Sequence, residues 1–138
     1  MQFTVRDWMV DLVVYVDPDT PLNEALALMR RRYISSLIVN KSGPNTDFGI
    51  LTSTDVSDKI VAQGRNPAQV KVREIMTTPL ITVSPQMPIA ECARIMRENR
   101  FHHLPVADAQ GNIVGMISAT DFLVVAEAMG HEGDRALT

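Results

Sequence analysis

Two short segments of this sequence carry hydroxyl and carboxylate groups in the same arrangement. GILTSTD covers residues 49–55 and GMISATD covers residues 115–121, and each runs from an apolar stretch through hydroxyl residues to an aspartate. If a strand ends and a helix begins there, unpaired backbone N–H groups and the positive end of the helix dipole favour a phosphate. Four side chains can add hydroxyl donors to phosphate oxygens: Thr52, Thr54, Ser118 and Thr120.

The aspartate that closes each segment favours a different chemical group. A carboxylate repels phosphate, but it accepts two hydrogen bonds from a vicinal diol such as the 2′,3′-hydroxyl pair of a ribose. Asp55 and Asp121, each beside phosphate donors, therefore predict a nucleotide ligand. Ser, Thr and Asp are also the preferred residues at helix starts, where a cap contributes about 1 kcal/mol. Helix capping alone is the alternative interpretation of either segment.

The rest of the chain repeats together with these segments. VRDWM at residues 5–9 matches VREIM at 72–76 with an offset of 67, which falls to 66 at the polar segments because the first hairpin loop is one residue longer. One copy alone would leave an apolar face uncovered, so the interface between copies is both an expected core and an expected binding cleft. We predict repeat 1 over 1–64, a linker over 65–71, repeat 2 over 72–130 and a flexible C-terminal tail over 131–138.

Within each copy the hydrophobic period predicts strand, helix, strand, strand, helix. Residues 12–16 and 80–83 form short β-branched runs, and apolar residues at i, i+3, i+4 and i+7 from Leu22 and from Ile89 indicate one buried helix face. Paired apolar runs around turn residues predict hairpins, and final helices are expected over 54–63 and 120–129. The predicted fold class is α/β (α+β), a β-α-β-β-α unit in which an antiparallel edge strand extends a parallel pair.

Composition and charge limit the kinds of partner. The 138 residues are 46% hydrophobic and 21% charged, which is typical of a soluble globular protein, and the net charge of −3 indicates no general affinity for nucleic acid. No apolar run approaches the roughly 20 residues of a membrane helix, and the N-terminus lacks a targeting pattern. We therefore expect a cytoplasmic protein with no membrane association. The single cysteine, Cys92, excludes a disulfide within the chain.

Metal binding and catalysis are both disfavoured by the residue pattern. His102 and His103 are neighbours on a predicted strand and point to opposite faces, so they cannot easily bind one ion together. One of them, or Arg100, can instead reach a nucleotide phosphate, and a structural role for both histidines is the alternative. No Walker A loop or GxGxxG motif is present. A Ser118–Asp121–His102 triad lacks a second oxyanion element, so we predict no catalytic residue and no enzyme activity.

These features together resemble those of paired CBS domains, also called a Bateman module. The resemblance rests on a helical lead-in ending in Met9 or Met76, on the strands SSLIV and HHLPV, and on GILTSTD and GMISATD. It covers essentially the whole chain. It implies two repeats related by a pseudo-twofold axis and packed through their sheets. It also implies clefts that hold AMP, ADP, ATP or S-adenosylmethionine as a regulatory ligand, with no cofactor required.

The resemblance also implies two clefts, in which the polar segment of one repeat faces the other repeat. In the first cleft, phosphate, ribose and base would meet Ser118, Thr120, Asp121 and Met116, with a far wall of Thr20, Ala25, Ile34 and Ser35. In the second, the matching residues would be Thr52, Thr54, Asp55 and Ile50, with Met87, Cys92, Phe101 and His102 opposite and His103 beside them. The bulkier second wall leads us to expect the Asp121 cleft to be the better site.

Two functions remain open from the sequence. One is a regulatory sensor in which an adenine nucleotide changes the packing of the repeats or of a homodimer and so alters how a target protein is engaged. The other is a ligand-free homodimeric scaffold in which the same polar residues are helix caps. In either case we expect the target to be a separate protein chain.

Overall fold

The computed structural model describes the backbone of residues 3–44 and 46–137, and the side chains of residues 3–44 and 46–131. Helices and strands alternate along the chain in the predicted order. In sequence they are α1 (Val5–Trp8), β1 (Tyr15–Val16), α2 (Leu22–Arg32), β2 (Ser36–Val39), β3 (Gly49–Thr52), α3 (Ser53–Val56), α4 (Ile89–Asn99), β4 (His103–Ala107), β5 (Ile113–Ser118) and α5 (Asp121–Leu137). A π-helical turn (Ser57–Val61) continues α3, and two 3-10 turns follow it (Pro67–Gln69 and Val72–Glu74).

The strand pairing confirms the predicted α+β unit. β1 is parallel to β2, and β3 pairs antiparallel on the other side of β2, so β2 is the central strand. In the second copy β4 pairs antiparallel with β5, and Val83 forms a parallel bridge to Val106 at the place that β1 occupies in the first copy. The hairpin predicted around Gln110-Gly111-Asn112 is present, with Gly111 at a φ of 83°. The matching turn at Gly43-Pro44-Asn45 lies partly outside the described residues, because Asn45 is not among them.

The first strand of each copy is shorter than the apolar run that predicted it. The run 12–16 contributes Tyr15 and Val16 to the sheet, and the run 80–83 contributes a bridge at Val83. In both copies the missing residues are the first ones of the run, so each strand begins late, and prolines limit how far it can extend, since proline has no N–H to donate to a ladder. Pro18 follows β1 after one residue, and Pro79 and Pro85 lie on either side of Val83.

The final helices end differently from the prediction. α3 has one α-helical turn before the π-helical turn, in which the Ala62 N–H donates to the Ser57 carbonyl at 2.9 Å. α5 continues to Leu137, past the expected end near residue 129 and through most of the predicted flexible tail. Gly130 directly follows the expected end, but a glycine inside a helix costs about 1 kcal/mol and need not end it. Thr138 of that tail lies outside the described residues.

The chain forms two compact units that differ from the two sequence repeats. One unit contains residues 13–80 and the other contains residues 1–12 with 81–138. The lead-in of each repeat therefore belongs with the other repeat. Val5 donates its N–H to the Met87 carbonyl at 2.9 Å, and Val72 makes the equivalent bond to Thr20 at 3.0 Å. Both valines are fully buried in the cores of the units they join.

The methionine that ends each lead-in explains the glycine that opens each polar segment. A Cβ atom on Gly115 would lie 2.7 Å from Met9 Sδ and 3.0 Å from the Val10 carbonyl oxygen. A Cβ on Gly49 would lie 2.9 Å from Met76 Sδ. Because real Cβ atoms do not approach other heavy atoms so closely, glycine lets the lead-in lie directly against the strand that carries the site residues.

Candidate functional site

The Asp121 junction joins the end of β5 to the start of α5. The Asp121 Oδ2 atom accepts the backbone N–H of Ser118 at 2.8 Å and the Ser118 hydroxyl at 3.2 Å. The hydroxyls of Ser118 and Thr120 lie 2.9 Å apart. Asp121 is partly buried and Thr120 is exposed, so the junction presents a fixed carboxylate beside two hydroxyls. These contacts are those of a helix cap, the alternative interpretation of the segment, and the predicted ribose role of Asp121 stays a prediction.

The directions of the hydroxyl protons follow from these contacts. An ionised carboxylate only accepts, so the Ser118 hydroxyl donates to Asp121, and the Thr120 hydroxyl must then donate to Ser118. The Ser118 hydroxyl proton therefore points towards the carboxylate, and the Thr120 hydroxyl proton points towards the Ser118 oxygen. A phosphate bound here would require the hydroxyls to rotate, and the phosphate role of Ser118 and Thr120 stays a prediction.

The Asp55 junction begins with the same cap but has more partners. Asp55 Oδ2 accepts the N–H of Thr52 at 3.0 Å and its hydroxyl at 3.2 Å, and the Asp55 N–H donates back to the Thr52 hydroxyl at 3.3 Å. Oδ1 accepts Lys59 Nζ at 2.9 Å and the Thr77 hydroxyl at 3.0 Å. Asp55 is 6% exposed, and protein groups donate hydrogen bonds to both of its carboxylate oxygens. Its predicted ribose role remains untested.

Sequence reasoning missed Lys59 and Thr77. Lys59 follows Asp55 by four residues on a helix, a spacing that brings opposite charges together and that the sequence could have shown. Thr77 lies 22 residues from Asp55 and reaches it because the second lead-in packs against β3, where Ile50 and Thr77 exchange backbone hydrogen bonds of 3.0 and 2.9 Å. That contact depends on tertiary structure.

The two units divide the predicted site residues by repeat. One contains Thr20, Ala25, Ile34, Ser35, Ile50, Thr52, Thr54 and Asp55, and the other contains Phe101, His102, His103, Met116, Ser118, Thr120 and Asp121. The sequence predicted Ser35 opposite the Asp121 segment and His102 opposite the Asp55 segment, but within its unit each lies next to the polar segment of its own repeat. The Ser53 N–H donates to the Ser35 carbonyl at 3.1 Å, and the Ala119 N–H donates to the His102 carbonyl at 2.9 Å.

Some predicted wall residues are core residues. Ala25 and Cys92 belong to the hydrophobic clusters of their own units, and burial raises the pKa of the Cys92 thiol to about 11. Ile34 packs partly buried against the core that contains Ala25, and Met87 does the same against the core that contains Cys92. Thr20, Ser35 and Thr54 are partly or fully exposed.

An open groove of about 460 Å³ lies in the unit that contains Asp121. Arg97 and Arg100 give it positive charge. The other lining side chains are apolar or aromatic: Ala93, Met96, Phe101, His102, Ala119 and Phe122. Since Ala119 and Phe122 flank the residues Thr120 and Asp121, the groove lies at the same helix start as the junction. The cations and the aromatic rings suit a ligand with a charged part and a flat part.

His103 lies opposite Ser118 in the β4–β5 register. Burial lowers the pKa of His103, the nearby His102 lowers it further, and Asp121 opposes the shift. Among the residues with described side chains, no group of three or more His, Cys, Asp or Glu is arranged to hold a metal ion. No helix in the described part of the chain combines the length and the apolarity needed to cross a membrane.

Comparison with known proteins gives the family. The CBS domain family model matches the chain twice, over residues 5–62 and 72–127. The chain belongs to the CBS-domain family. The resemblance drawn from the lead-ins and the polar segments is therefore confirmed, and so is the tandem arrangement.

Curated relatives include small CBS proteins and longer chains. The CBS domain-containing protein YhcV of Bacillus subtilis is 31% identical over 135 residues, covering 98% of this chain and 93% of YhcV. The mitochondrial CBS domain-containing protein CBSX3 of Arabidopsis thaliana is 35% identical, over 83% of this chain and 55% of CBSX3. Inosine-5'-monophosphate dehydrogenase of Thermoplasma acidophilum is 33% identical over 80% of this chain and 21% of that enzyme. The chain thus spans about half of CBSX3 and a fifth of the dehydrogenase.

Solved structures with the same fold include an assembled protein and a ligand complex. A hexameric CBS-CP12 protein from bloom-forming cyanobacteria has a TM-score of 0.83 at 29% identity, over 90% of this chain and 72% of that chain. The CBS domain pair of protein MJ0100, in complex with 5-methylthioadenosine and S-adenosyl-L-methionine, has a TM-score of 0.77 at 23% identity, over 96% of this chain and 99% of that chain. The second likeness shows the fold alone.

Proposed function

We propose that this protein is a non-catalytic regulatory sensor that binds an adenosine compound at the Asp121 junction and reports its presence to a partner protein. The observation that carries the proposal is the partly buried Asp121 carboxylate, held by the Ser118 N–H at 2.8 Å. A carboxylate fixed in this way matches the two donors of a ribose diol. AMP, ADP, ATP and S-adenosylmethionine all carry that diol, and they are the candidate ligands.

The neighbouring groove supports a ligand with a charged tail. Arg97 and Arg100 line it together with Phe101 and Phe122. Guanidinium groups bind phosphate or carboxylate through charge-assisted hydrogen bonds, and aromatic faces pack against a flat base. Arg100 and His102 line this groove and are the residues proposed to contact the charged tail. The sequence predicted a phosphate contact for Arg100 or one of the two histidines, with His102 opposite Asp55.

Regulation follows if the ligand binds one conformation of the protein better than another. A ligand with such a preference shifts the population of conformations and changes what a partner meets. Binding of 5-methylthioadenosine and S-adenosylmethionine is a property of the MJ0100 protein. For this chain the adenosine proposal rests on its own Ser118, Thr120 and Asp121.

Calorimetric titration tests the proposal with a matched pair of ligands. We expect ATP to bind and 2′,3′-dideoxy-ATP, which keeps the base and phosphates but lacks the diol, to bind at least about tenfold more weakly, since the partly buried Asp121 carboxylate would lose two hydrogen-bond donors. AMP, ADP and S-adenosylmethionine are titrated in parallel. The absence of heat and of a thermal shift with every one of these adenosine compounds at millimolar concentration would reject the proposal.

The scaffold function is kept as a second candidate because α5 has exposed apolar side chains near its start. Leu123 is 72% exposed and Val124 is more than half exposed. Apolar side chains in such positions commonly mark contact surfaces with another protein. Sedimentation velocity with and without ATP separates the two functions. A homodimer that is unchanged by nucleotide and that purifies without bound ligand supports the scaffold, whereas a monomer in both conditions contradicts it.

A further inference from the structure

The two aspartates differ in the residues that occupy equivalent positions around them. Lys59 follows Asp55 by four residues, and the residue four after Asp121 is Val125. The backbone defines a second equivalent pair. Thr77 exchanges hydrogen bonds of 2.9 and 3.0 Å with Ile50, and Val10 exchanges two of 2.8 Å with Met116. A lysine and a threonine in one unit thus correspond to two valines in the other.

Lys59 and Thr77 hold the Asp55 oxygen that the helix cap leaves available. The cap uses Oδ2, and Oδ1 accepts Lys59 Nζ at 2.9 Å and the Thr77 hydroxyl at 3.0 Å. The same lysine donates to the Ile75 carbonyl at 2.8 Å, which fixes its head from a second direction. Lys59 lies in the π-helical turn, whereas α5 is α-helical at Val125. The four donors to Asp55 leave a buried carboxylate with its acceptor sites in use.

At the Asp121 junction, among the described residues, the positions equivalent to Lys59 and Thr77 are occupied by Val125 and Val10. Val125 is 4% exposed and packs in the core, and Val10 is an exposed apolar side chain. Neither side chain can donate a hydrogen bond. The contacts from Ser118 to Asp121 reproduce the cap at Asp55, so the two junctions share a cap and differ in the further donors supplied by lysine and threonine.

We propose that Lys59 and Thr77 permanently use the acceptor sites of Asp55 Oδ1. Of the two junctions, only the Asp121 junction then binds the sugar diol of an adenosine ligand. This inference rests on the proposed function. A diol at Asp55 would have to displace an ammonium and a hydroxyl, and Lys59 would keep only the Ile75 carbonyl. Losing charge-assisted hydrogen bonds at a buried carboxylate costs more than a neutral diol returns. Lys59 and Thr77 therefore determine the number of ligands per chain.

The test is a calorimetric titration of ATP and of S-adenosylmethionine into the whole chain and into exchanged variants. The wild type should bind one molecule per chain. The double variant Lys59→Met with Thr77→Val removes both donors with little change in size, and it should gain a second site. Lys59→Arg keeps the cation and is the matched control, which should stay at one site.

The reverse exchange tests the same residues at the other junction. Val125→Lys and, separately, the exposed Val10→Thr should each weaken binding at Asp121, the lysine by roughly tenfold or more, as expected for one added charge-assisted competitor. Val10→Thr keeps the test valid if the buried Val125→Lys variant does not fold. Circular dichroism verifies the fold of each variant.

The outcomes separate the inference from the proposed function. Two equivalent sites in the wild type overturn the inference and leave the proposed function standing. A folded Lys59→Met, Thr77→Val protein that still binds one molecule also overturns the inference. No binding to wild type or to any variant overturns the proposed function, and the inference with it.

Discussion

Replacing each aspartate by alanine should separate stability from ligand binding. Asp55→Ala and Asp121→Ala both remove a helix cap made by the aspartate to the preceding Thr52 or Ser118, and that loss is about 1 kcal/mol in each case. The cap term therefore cancels when the two variants are compared. What remains is the pair of bonds that Asp55 accepts from Lys59 and Thr77, for which the valines at the equivalent positions near Asp121 offer no donor.

The size of the difference follows from the burial of that pair. A hydrogen bond to a charged group contributes about 1.5–3 kcal/mol, and the Lys59 side chain is 39% exposed, so solvent screening reduces its share. We expect Asp55→Ala to lower the free energy of unfolding by about 2 kcal/mol more than Asp121→Ala does. The order for ATP affinity should be the reverse, with Asp121→Ala weakening binding and Asp55→Ala changing it little.

Urea unfolding followed by circular dichroism measures the stability difference, with equal m-values required for the comparison. Asp58→Ala is the control, because Asp58 is an exposed carboxylate three residues after Asp55 and should stay within about 0.5 kcal/mol of wild type. Equal losses of stability from the two aspartate variants would refute the assignment of Asp55 to a structural network. Equal losses of affinity would refute the ranking of the two junctions.

Three further predictions follow from the packing and the pKa shifts. Gly115→Ala places a Cβ 2.7 Å from Met9 Sδ and 3.0 Å from a backbone oxygen, so thermal unfolding should show that the free energy of unfolding falls by about 1–3 kcal/mol. Gly43→Ala is the control, because its Cβ meets nothing within 4 Å and the variant should be nearly as stable as wild type. The pKa of Cys92 is raised to about 11, so mass spectrometry should find its thiol unalkylated by iodoacetamide in the folded protein at neutral pH. For the same reason the free energy of unfolding should fall as the pH rises from about 9 towards 11. Rapid alkylation of the folded protein would contradict the burial of this thiol. The pKa of His103 is lowered from 6.5, so its contribution to stability is present above pH 6.5 and is lost as the pH falls through the lower folded-state pKa. His103→Gln should flatten this part of the plot of unfolding free energy against pH. An unchanged slope would contradict the assignment of this pH dependence to His103.

The secondary structure was largely predictable, because it depends on neighbours along the chain. The i, i+3, i+4, i+7 spacing from Leu22 and from Ile89 gave helices that begin at those residues, and the hairpins fall where the turn residues predict them. The end of α5 was not predictable in the same way. Gly130 is a weak helix stop, and local propensity does not decide whether a helix continues through it.

The exchange of the lead-ins could not be derived from periodicity. The sequence shows that VRDWM and VREIM are equivalent, but the hydrogen-bond partner of Val5 lies 82 residues away and that of Val72 lies 52 residues away. Val5 pairs with Met87 and Val72 with Thr20, so each lead-in completes the unit of the other repeat. Met9 and Gly115 belong to separate motifs in the sequence. The structure links them, because Met9 packs so closely against residue 115 that a Cβ there would lie 2.7 Å from its Sδ.

The amino-acid sequence by itself determined the family, the duplicated unit and the places where hydroxyls and aspartates come together, because strand ends and helix caps depend on residues that are neighbours in the sequence. The tertiary structure decided what each aspartate meets. Asp55 and Asp121 close equivalent segments, yet Thr77 reaches Asp55 from 22 residues away, and a valine occupies the matching position near Asp121. The number of hydrogen bonds that a carboxylate can still accept from a ligand depends on every protein donor within about 3 Å. Folding brings some of those donors from distant positions in the chain.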